Sequence, residues 1–133
     1  VVSQRLARRI CPHCKVAYSP SENLFKEFFV TPPADISWVK GQGCHECNYT
    51  GFKGRLALAE LWEPSQSDIM LINKRAPMDD LRVSARQSTI PIMEEAMGKL
   101  KAGETSLEEL TRILPYSFIK DYRQGQISGS DPA

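Results

Sequence analysis

Apolar residues recur at every fourth position over the first ten residues of the chain. Val2, Leu6 and Ile10 occupy positions i, i+4 and i+8, a spacing that places them on one face of a helix. Pro12 follows, and proline cannot continue a helix because it has no backbone N–H and clashes with the preceding turn. The pattern therefore predicts a helix that ends near Pro12.

The middle of the chain indicates one short helix followed by two strands. Ser21 is a suitable N-cap for a phenylalanine-rich helix, and the two prolines in residues 31–33 end it. Ile36 and Trp38 alternate with polar neighbours, which predicts a short strand. Residues 55–62 alternate more regularly, so we expect a longer strand there with one well-buried face.

From residue 65 to residue 115 the apolar periodicity is helical. Four helix starts are marked by capping residues or by a proline: Ser65 with Asp68, Pro77, Pro91, and Ser106 with Glu109. We therefore predict four helices. Acidic pairs in their first turns, such as Glu108 and Glu109, are expected to be capping and solvated charges rather than acid–base catalysts, because negative charge is favourable at a helix N-terminus.

Composition and charge exclude several classes of protein. The 133 residues include 17 basic and 16 acidic side chains, a net charge of +1, so there is no general electrostatic case for a nucleic-acid binder. No apolar run approaches the ~20 residues of a membrane span. Residues 1–10 contain three arginines and do not resemble a secretory signal. Because the chain starts without Met, we take it to be a piece of a larger cytosolic protein.

Four cysteines provide the strongest chemical signal. They form two C-x-x-C pairs, Cys11 with Cys14 and Cys44 with Cys47. Each pair can direct two thiolates at one ion, and two pairs complete a tetrahedral shell for which zinc is the usual occupant. Disulfide or redox use and free buried thiols are the alternatives, but disulfides are disfavoured in the cytosol. We predict that the four cysteines bind one zinc ion per chain.

Other residues near the cysteines are assigned secondary roles. His13 and His45 each lie inside a pair, and we expect both to be exposed and unligated because the shell of four is closed. A closed shell has no position for a reacting water, so the zinc is predicted to be structural. It would join the first helix to the later strands. Cations that flank the pairs either offset the thiolate charge or are ordinary surface charges: Arg8, Arg9, Lys15, Lys53 and Arg55.

Three segments carry a family resemblance. Residues 4–15 resemble the QRL-x-R-x-[LI]-C-P-x-C-K segment of the motor ATPases of type II secretion and type IV pilus assembly. Residues 43–63 are similar to the family's GC-x-x-C-x-x-TG-[YF]-x-GR…E-[LI]-x-E run, and residues 102–110 to its closing G-x-T-[ST]-x-EE-[VL] helix. The resemblance covers about residues 1–114. Residues 89–96 depart from the family's usual helix start, and the extension after Pro115 has no counterpart.

The resemblance implies that the chain is the C-terminal region of such a motor. The family's Walker motifs lie upstream, and the chain has no G-x-x-x-x-G-K-[ST] phosphate-binding loop, so we expect no enzyme activity from it alone. ATP and magnesium would belong to the upstream core. The implied cofactor is zinc, and the implied assembly is a cytoplasmic homohexamer peripheral to the bacterial inner membrane. The implied partners are its own ATPase core, neighbouring subunits and an inner-membrane platform protein, without nucleic acid.

The expected fold class is α+β and predominantly helical. A tetracysteine zinc module with a small antiparallel sheet would occupy residues 1–63, and a helical subdomain residues 64–115. Residues 116–133 would form an extension that is at least partly disordered, most clearly from residue 125 onward.

Two other functions remain open on sequence alone. The first is a zinc-ribbon module that binds nucleic acid, for which the basic segment 5–15 is the best feature. The second is a chaperone-like module that binds unfolded peptides, since Gly51 and Gly54 follow the second cysteine pair. The near-neutral charge disfavours the first function. The presence of only two cysteine pairs disfavours the second.

Overall fold

Over the residues that the structure describes, the chain folds as six α-helices and two small antiparallel sheets. A computed structural model describes residues 1–31 and 33–127, except for the side chain of Ile127. The strands are β1 (Val2–Ile10), β2 (Lys15–Ala17), β3 (Val39–Gly41), β4 (Phe52–Trp62) and β5 (Thr89–Ile90). The helices are α1 (Glu22–Phe28), α2 (Gln66–Asn73), α3 (Met78–Ala85), α4 (Ile92–Lys101), α5 (Leu107–Ile113) and α6 (Tyr116–Ile127). The expected mixture of helices with a small antiparallel sheet is confirmed.

The helix predicted at the start of the chain is wrong, because these residues form strand β1. Residues four apart also share one face of a strand, so the same spacing fits both structures. β1 pairs antiparallel with β4 from Val2 opposite Leu61 to Ile10 opposite Phe52. A helix of ten residues is only marginally stable by itself, whereas this long pairing gives the segment a hydrogen-bonded partner strand. The buried residue at its centre is Ala7, which the apolar spacing did not single out.

Strand order places β4 at the centre of the larger sheet. β1 and β5 flank it, both antiparallel, and β2 pairs separately with β3. The strand predicted over residues 55–62 is confirmed as part of β4. The strand expected at Ile36 and Trp38 begins instead at Val39. Helix α1 is confirmed, with the Ser21 hydroxyl accepting a hydrogen bond from the Leu24 N–H at 3.3 Å.

The four helices predicted between residues 65 and 115 are confirmed as α2 to α5. Ser65 and Asp68 form the reciprocal capping box at the start of α2, and Ser106 caps α5 by accepting from the Glu109 N–H. The expectation that the Glu109 carboxylate is solvated is wrong, because this residue is 1% exposed. It forms ion pairs instead of completing a capping box.

Helix α6 lies against α1. Ile119 is buried, the rings of Phe29 and Tyr122 meet edge to face at 6.3 Å, and the Gln126 amide donates to the Phe28 carbonyl at 2.8 Å. The helix includes Gly125, where the sequence indicated disorder. The rest of that indicated segment, residues 128–133, lies outside the described residues.

One buried cluster joins the larger sheet to four of the helices. It includes residues of β1, α1, β4, α4, α5 and α6, among them Ala7, Phe28, Leu58, Ile92, Leu107 and Ile119. Among the described residues, none from α2 or α3 belongs to this cluster. In the same part of the chain, no helix has both the length and the apolar character needed to cross a bilayer. The residue bounds of the three expected units stay a prediction.

Candidate metal centre

Both cysteine pairs lie in turns that connect one sheet to the other. Residues 11–14 lead from β1 to β2, and residues 44–47 lead from β3 to β4. Because β1 pairs with β4 and β2 pairs with β3, the two turns meet where the two sheets join. Strand pairing on both sides therefore brings together cysteines that are far apart in the sequence. The element that carries Cys11 to this junction is a strand, not the helix expected from the sequence.

The four cysteine sulfurs are spaced for a single ion. The Sγ–Sγ distance is 3.8 Å for Cys11–Cys44, Cys14–Cys47 and Cys44–Cys47, and all four Sγ atoms lie within 4.8 Å of one another. A disulfide would require ~2.05 Å, and all four thiols are free. Zinc–sulfur bonds of ~2.3 Å in a tetrahedron place the sulfurs ~3.8 Å apart. The donor set therefore fits a tetrahedral metal ion, as the sequence predicted.

Backbone N–H groups surround these sulfurs. Gly43 donates to the Cys14 Sγ at 3.2 Å, whereas Cys44 and Gly51 both donate to the Cys47 Sγ at 3.3 Å. Burial acts to raise the pKa of the Cys47 thiol, but its two backbone N–H donors, together with the Cys44 and Cys14 thiols, outweigh burial and lower that pKa to about 6. Burial raises the pKa of Cys14 to about 11, against the opposing effect of Gly43. Metal coordination requires deprotonated thiols, so a bound cation would displace their protons.

Two glycines allow the two ends of the second cysteine turn to pack closely. A Cβ atom added at Gly41 would lie 1.9 Å from the carbonyl oxygen of Gly51, a distance that no side chain can occupy. Gly51 has φ of +82°, which favours glycine, and its carbonyl accepts a hydrogen bond from the Cys11 N–H at 2.9 Å. The closest approach of β3 to the second cysteine turn thus depends on glycine. Sequence reasoning missed this pair because the contact is between positions ten residues apart.

The two histidines inside the cysteine pairs are not part of the cluster of metal-binding side chains. His13 and His45 are both exposed, as predicted. The group of metal-binding side chains found among the described residues consists of the four cysteines alone. Each cysteine offers one sulfur, so the shell can close without a histidine.

The cations expected to offset the thiolate charge are partly engaged elsewhere. Arg8 pairs with Glu109, and Lys53 pairs with Glu46 at 3.3 Å. The hydrogen bonds that reach the sulfurs from outside the thiol group come from the backbone. Charge compensation by Arg9, Lys15 and Arg55 stays a prediction.

A buried ionic cluster fixes β1 next to the metal centre. The Glu109 carboxylate accepts from the backbone N–H of Arg8 at 2.7 Å, from the Arg8 guanidinium at 3.0 Å, and from Arg112 at 2.7 Å. Burial opposes ionisation, but the two arginines outweigh it and lower the pKa of Glu109 to about 2. Glu109 of α5 thus binds Arg8 of β1, two residues before Ile10. These contacts fix the end of β1 that leads into Cys11. Sequence reasoning missed this role of Glu109 because its spacing from Ser106 indicated a capping box.

Comparison with known proteins assigns the chain to a family. A family model described as "Type II/IV secretion system protein" matches residues 1–112. The chain belongs to this family. As a type II/IV secretion system protein, it is 32% identical over 120 residues to the type IV pilus assembly ATPase TfpB of Acinetobacter baylyi, covering 86% of the chain and 20% of that relative. It is 31% identical over 113 residues to the type II secretion system ATPase E of Vibrio cholerae, covering 85% and 22%.

This type II/IV secretion system protein spans about a fifth of the length of those two relatives. The resemblance to secretion and pilus ATPases that the sequence motifs indicated is therefore confirmed at the level of the family. The match to the family model ends at residue 112, so helix α6 lies beyond it. The cysteine turns, β1, β4 and most of α5 lie within it.

Proposed function

We propose that this chain is the non-catalytic, zinc-stabilised C-terminal region of a hexameric motor ATPase of type II secretion or type IV pilus assembly. The observation that carries the proposal is the tetrahedral spacing of the four cysteine sulfurs. Family membership and the names of the relatives support the assignment to a motor. The absence of a phosphate-binding loop from the sequence supports a non-catalytic role.

The four thiols favour zinc in a structural site. Four sulfur donors in a tetrahedral arrangement suit zinc, although iron accepts the same set. When bound, the ion supplies a cross-link with no open position for a reacting water. Cys11 and Cys14 would hold it from one turn, and Cys44 and Cys47 from the other. The segment between the turns, which contains α1, would then be fixed at both of its ends.

The mechanical role follows from where the cross-link lies. The metal centre joins the sheet of β1 and β4 to the sheet of β2 and β3, so it would stiffen the whole first half of the chain. A stiff region transmits motion between the parts it touches. We assign those parts to the ATPase core of a longer parent protein, to neighbouring subunits of its hexamer, and to an inner-membrane platform protein. The parent would act in the cytoplasm at the inner membrane, with ATP and magnesium bound by its core and without nucleic acid.

Metal analysis and thermal melting test the zinc assignment. The chain should contain about one zinc ion, and complete chelation should lower its Tm because metal binding energy contributes to folding. Replacing both Cys44 and Cys47 with serine should remove the metal, whereas His45→Ala should retain it. An unchanged Tm after all metal has been removed would defeat the structural role. Iron in place of zinc would correct the identity of the ion.

A variant of the parent motor tests the coupling role. The same two serine substitutions should abolish secretion or piliation while the upstream core still binds ATP. His45→Ala again provides the matched control, since it changes the same turn without removing a sulfur. Normal secretion by the serine variant, with the metal confirmed absent, would contradict the proposed coupling.

A further inference from the structure

A notch with two arginines lies beside the second cysteine turn, and no cysteine lines it. The arginine notch is a cavity of about 250 Å³ lined by Arg8, Thr50, Phe52, Gly54 and Arg55. Four of these residues belong to the segment that follows Cys47, and the fifth belongs to β1. The notch therefore lies between residues 4–15 and 43–63, two of the segments that carry the family resemblance, and none of its lining residues is a cysteine.

Strand register places the two arginines against each other. Arg8 of β1 lies directly opposite Arg55 of β4, and the register shifts between Arg8 and Ile10. Directly opposite residues project from the same face of a sheet, and like charges in such a pair are destabilising. Gly54, with φ of +84°, lies in this irregularity, and bulges of this kind redirect neighbouring side chains. The pair is therefore held together although its charges repel.

Contacts behind the notch hold Arg8 in place. Its guanidinium carbon lies 4.1 Å from the centre of the Phe52 ring, a distance that allows a cation–π interaction. Its Nε and Nη2 atoms both donate to Glu109. None of the hydrogen bonds found among the described residues uses its Nη1 atom. The Arg8 guanidinium is thus fixed through its Nε and Nη2 atoms, and its Nη1 atom remains able to donate to a ligand.

Arg55 has no such anchor. Over residues 1–31 and 33–127, no hydrogen bond or ion pair engages its side chain, and the residue is exposed. A Cβ atom added at the adjacent Gly54 would meet nothing within 4 Å. The floor of the notch is therefore open to an approaching ligand, with the Arg55 guanidinium free to turn toward it.

Positive charge is in excess among the side chains that line the notch and the ionised side chains paired with them. Glu109 is one anion shared between Arg8 and Arg112, so that cluster alone has a surplus of one positive charge. Arg55 adds a second. The nearby Lys53 is offset by Glu46. The Thr50 hydroxyl is already used, since it donates to the Cys47 carbonyl at 2.7 Å. An anion between the two arginines would relieve their repulsion.

We propose that the arginine notch binds a phosphate group. Two guanidinium groups from neighbouring strands present several N–H donors from different directions, which suits a tetrahedral oxoanion. The Phe52 ring orients Arg8, and the open surface at Gly54 admits the anion close to the backbone. The group is either free phosphate or the phosphate of a lipid headgroup. This inference does not depend on the zinc assignment or on the motor function.

Titration of the whole chain with inorganic phosphate tests the proposal. Calorimetry at constant ionic strength, balanced with chloride, should detect saturable binding. Arg55→Gln should weaken it about tenfold or more, because it removes a charged hydrogen-bond donor. Arg9→Gln removes an equal charge one residue from Arg8 but outside the notch, and should change the affinity less than about twofold. Equal binding by both variants, or no binding beyond that of chloride, would overturn the proposal.

Two further measurements make the result decisive. Circular dichroism and metal content should match between Arg55→Gln and the unmodified chain, so that lost binding reflects the notch and not the fold. Co-sedimentation with phosphatidylglycerol vesicles, compared with phosphatidylcholine vesicles, identifies the source of the phosphate. Arg55-dependent sedimentation assigns a lipid headgroup, and phosphate binding without sedimentation assigns a soluble phosphate. Vesicle binding that persists in Arg55→Gln, without phosphate binding, would place the lipid contact elsewhere and refute the notch.

Discussion

At the scale of single residues, the metal centre depends on positions that carry no metal-binding atom. Gly41 at the end of β3 and Gly51 just before β4 let the backbone on the two sides of the second cysteine turn approach within a distance that a side chain at Gly41 would prevent. The N–H groups of Gly43 and Gly51 stabilise thiolate sulfur. The C-x-x-C spacing predicted the four sulfurs, because two such pairs are a frequent ligand pattern of tetrahedral zinc sites. It contained no information about the glycines, whose role appears only when the two ends of the second cysteine turn meet.

We predict that Gly41→Ala disrupts the centre. The new methyl group would overlap the Gly51 carbonyl, and relieving that overlap should destabilise the chain by about 2 kcal/mol or more. Gly98→Ala is the matched control, since a Cβ at this position in α4 meets nothing within 4 Å. That change should stabilise the helix by ~0.5–1 kcal/mol. Urea unfolding of the two variants with bound metal provides the test, and similar midpoints would contradict it.

Glu109 gives a second residue-level prediction. Its pKa is lowered to about 2 from an ordinary 4.5, so its contribution to stability is present above pH 4.5. The contribution is lost as the pH falls from 4.5 toward 2. Glu109→Gln should destabilise the chain at pH 7 by about 2 kcal/mol, allowing for the partly exposed arginines.

The pH dependence separates this effect from acid release of metal. Urea unfolding free energies measured at pH 6 and pH 3 should fall more in the unmodified chain than in Glu109→Gln. Metal loss contributes to both proteins and cancels in the difference. Glu94→Gln, at an exposed position in α4, should behave like the unmodified chain. Parallel pH profiles for all three proteins would be evidence against the cluster.

At the scale of elements, five of the six helices in the described residues could be predicted, whereas helix α6 and the first strand could not. Caps and prolines are local signals, and they correctly placed α1 and the four helices from α2 to α5. β1 depends on β4, a strand more than forty residues away, and non-local pairing leaves little trace in a ten-residue window. A spacing of four residues fits a helix face and a strand face equally. Only the partner strand decides between them.

The hairpin formed by α2 and α3 is attached to the molecule through polar contacts. Asp68 is buried and accepts hydrogen bonds from Trp62, Ser84 and Ser88. The serine hydroxyls, followed by the Ser65 N–H, hold the pKa of Asp68 well below its usual range. No described residue of either helix joins the hydrophobic cluster, and this carboxylate connects the hairpin to β4 through the Trp62 indole N–H.

We predict that Asp68→Ala loosens the hairpin selectively. Four donors would lose their acceptor, and unsatisfied buried donors are costly. Amide hydrogen exchange should accelerate at least about tenfold in residues 66–85 and much less in β1 and α4. Asp79→Ala removes an exposed carboxylate from α3 and should leave exchange unchanged. Uniform acceleration across the chain would show that the hairpin does not open as a separate unit.

At the scale of the whole molecule, helix α6 contributes to the hydrophobic core although it lies beyond the residues that match the family model. The match ends at residue 112, yet Ile119 is 1% exposed and belongs to the same cluster as Ala7 and Leu58. α6 also binds α1 through Gln126, whose side-chain amide bonds to both Phe28 and Val30. α1 lies in the segment between the two cysteine pairs. Helix α6 thus packs against the segment between the cysteine pairs, whose two ends the metal would fix.

We predict that Ile119→Ala destabilises the molecule as a unit, by about 2–5 kcal/mol, because it leaves a cavity in the shared core. The loss should appear equally when unfolding is followed by far-ultraviolet circular dichroism and by tryptophan fluorescence, to which Trp38, with its ring 4.8 Å from that of Phe25, contributes. Tyr116→Ala removes a larger but exposed side chain from the same helix and should cost less than about 0.5 kcal/mol. If Ile119→Ala changed stability no more than Tyr116→Ala, α6 would be a peripheral addition. If both signals changed together at a lowered denaturant midpoint, α6 would be part of the cooperative fold. The segment between the two cysteine pairs would then be stabilised by residues that lie outside the family match.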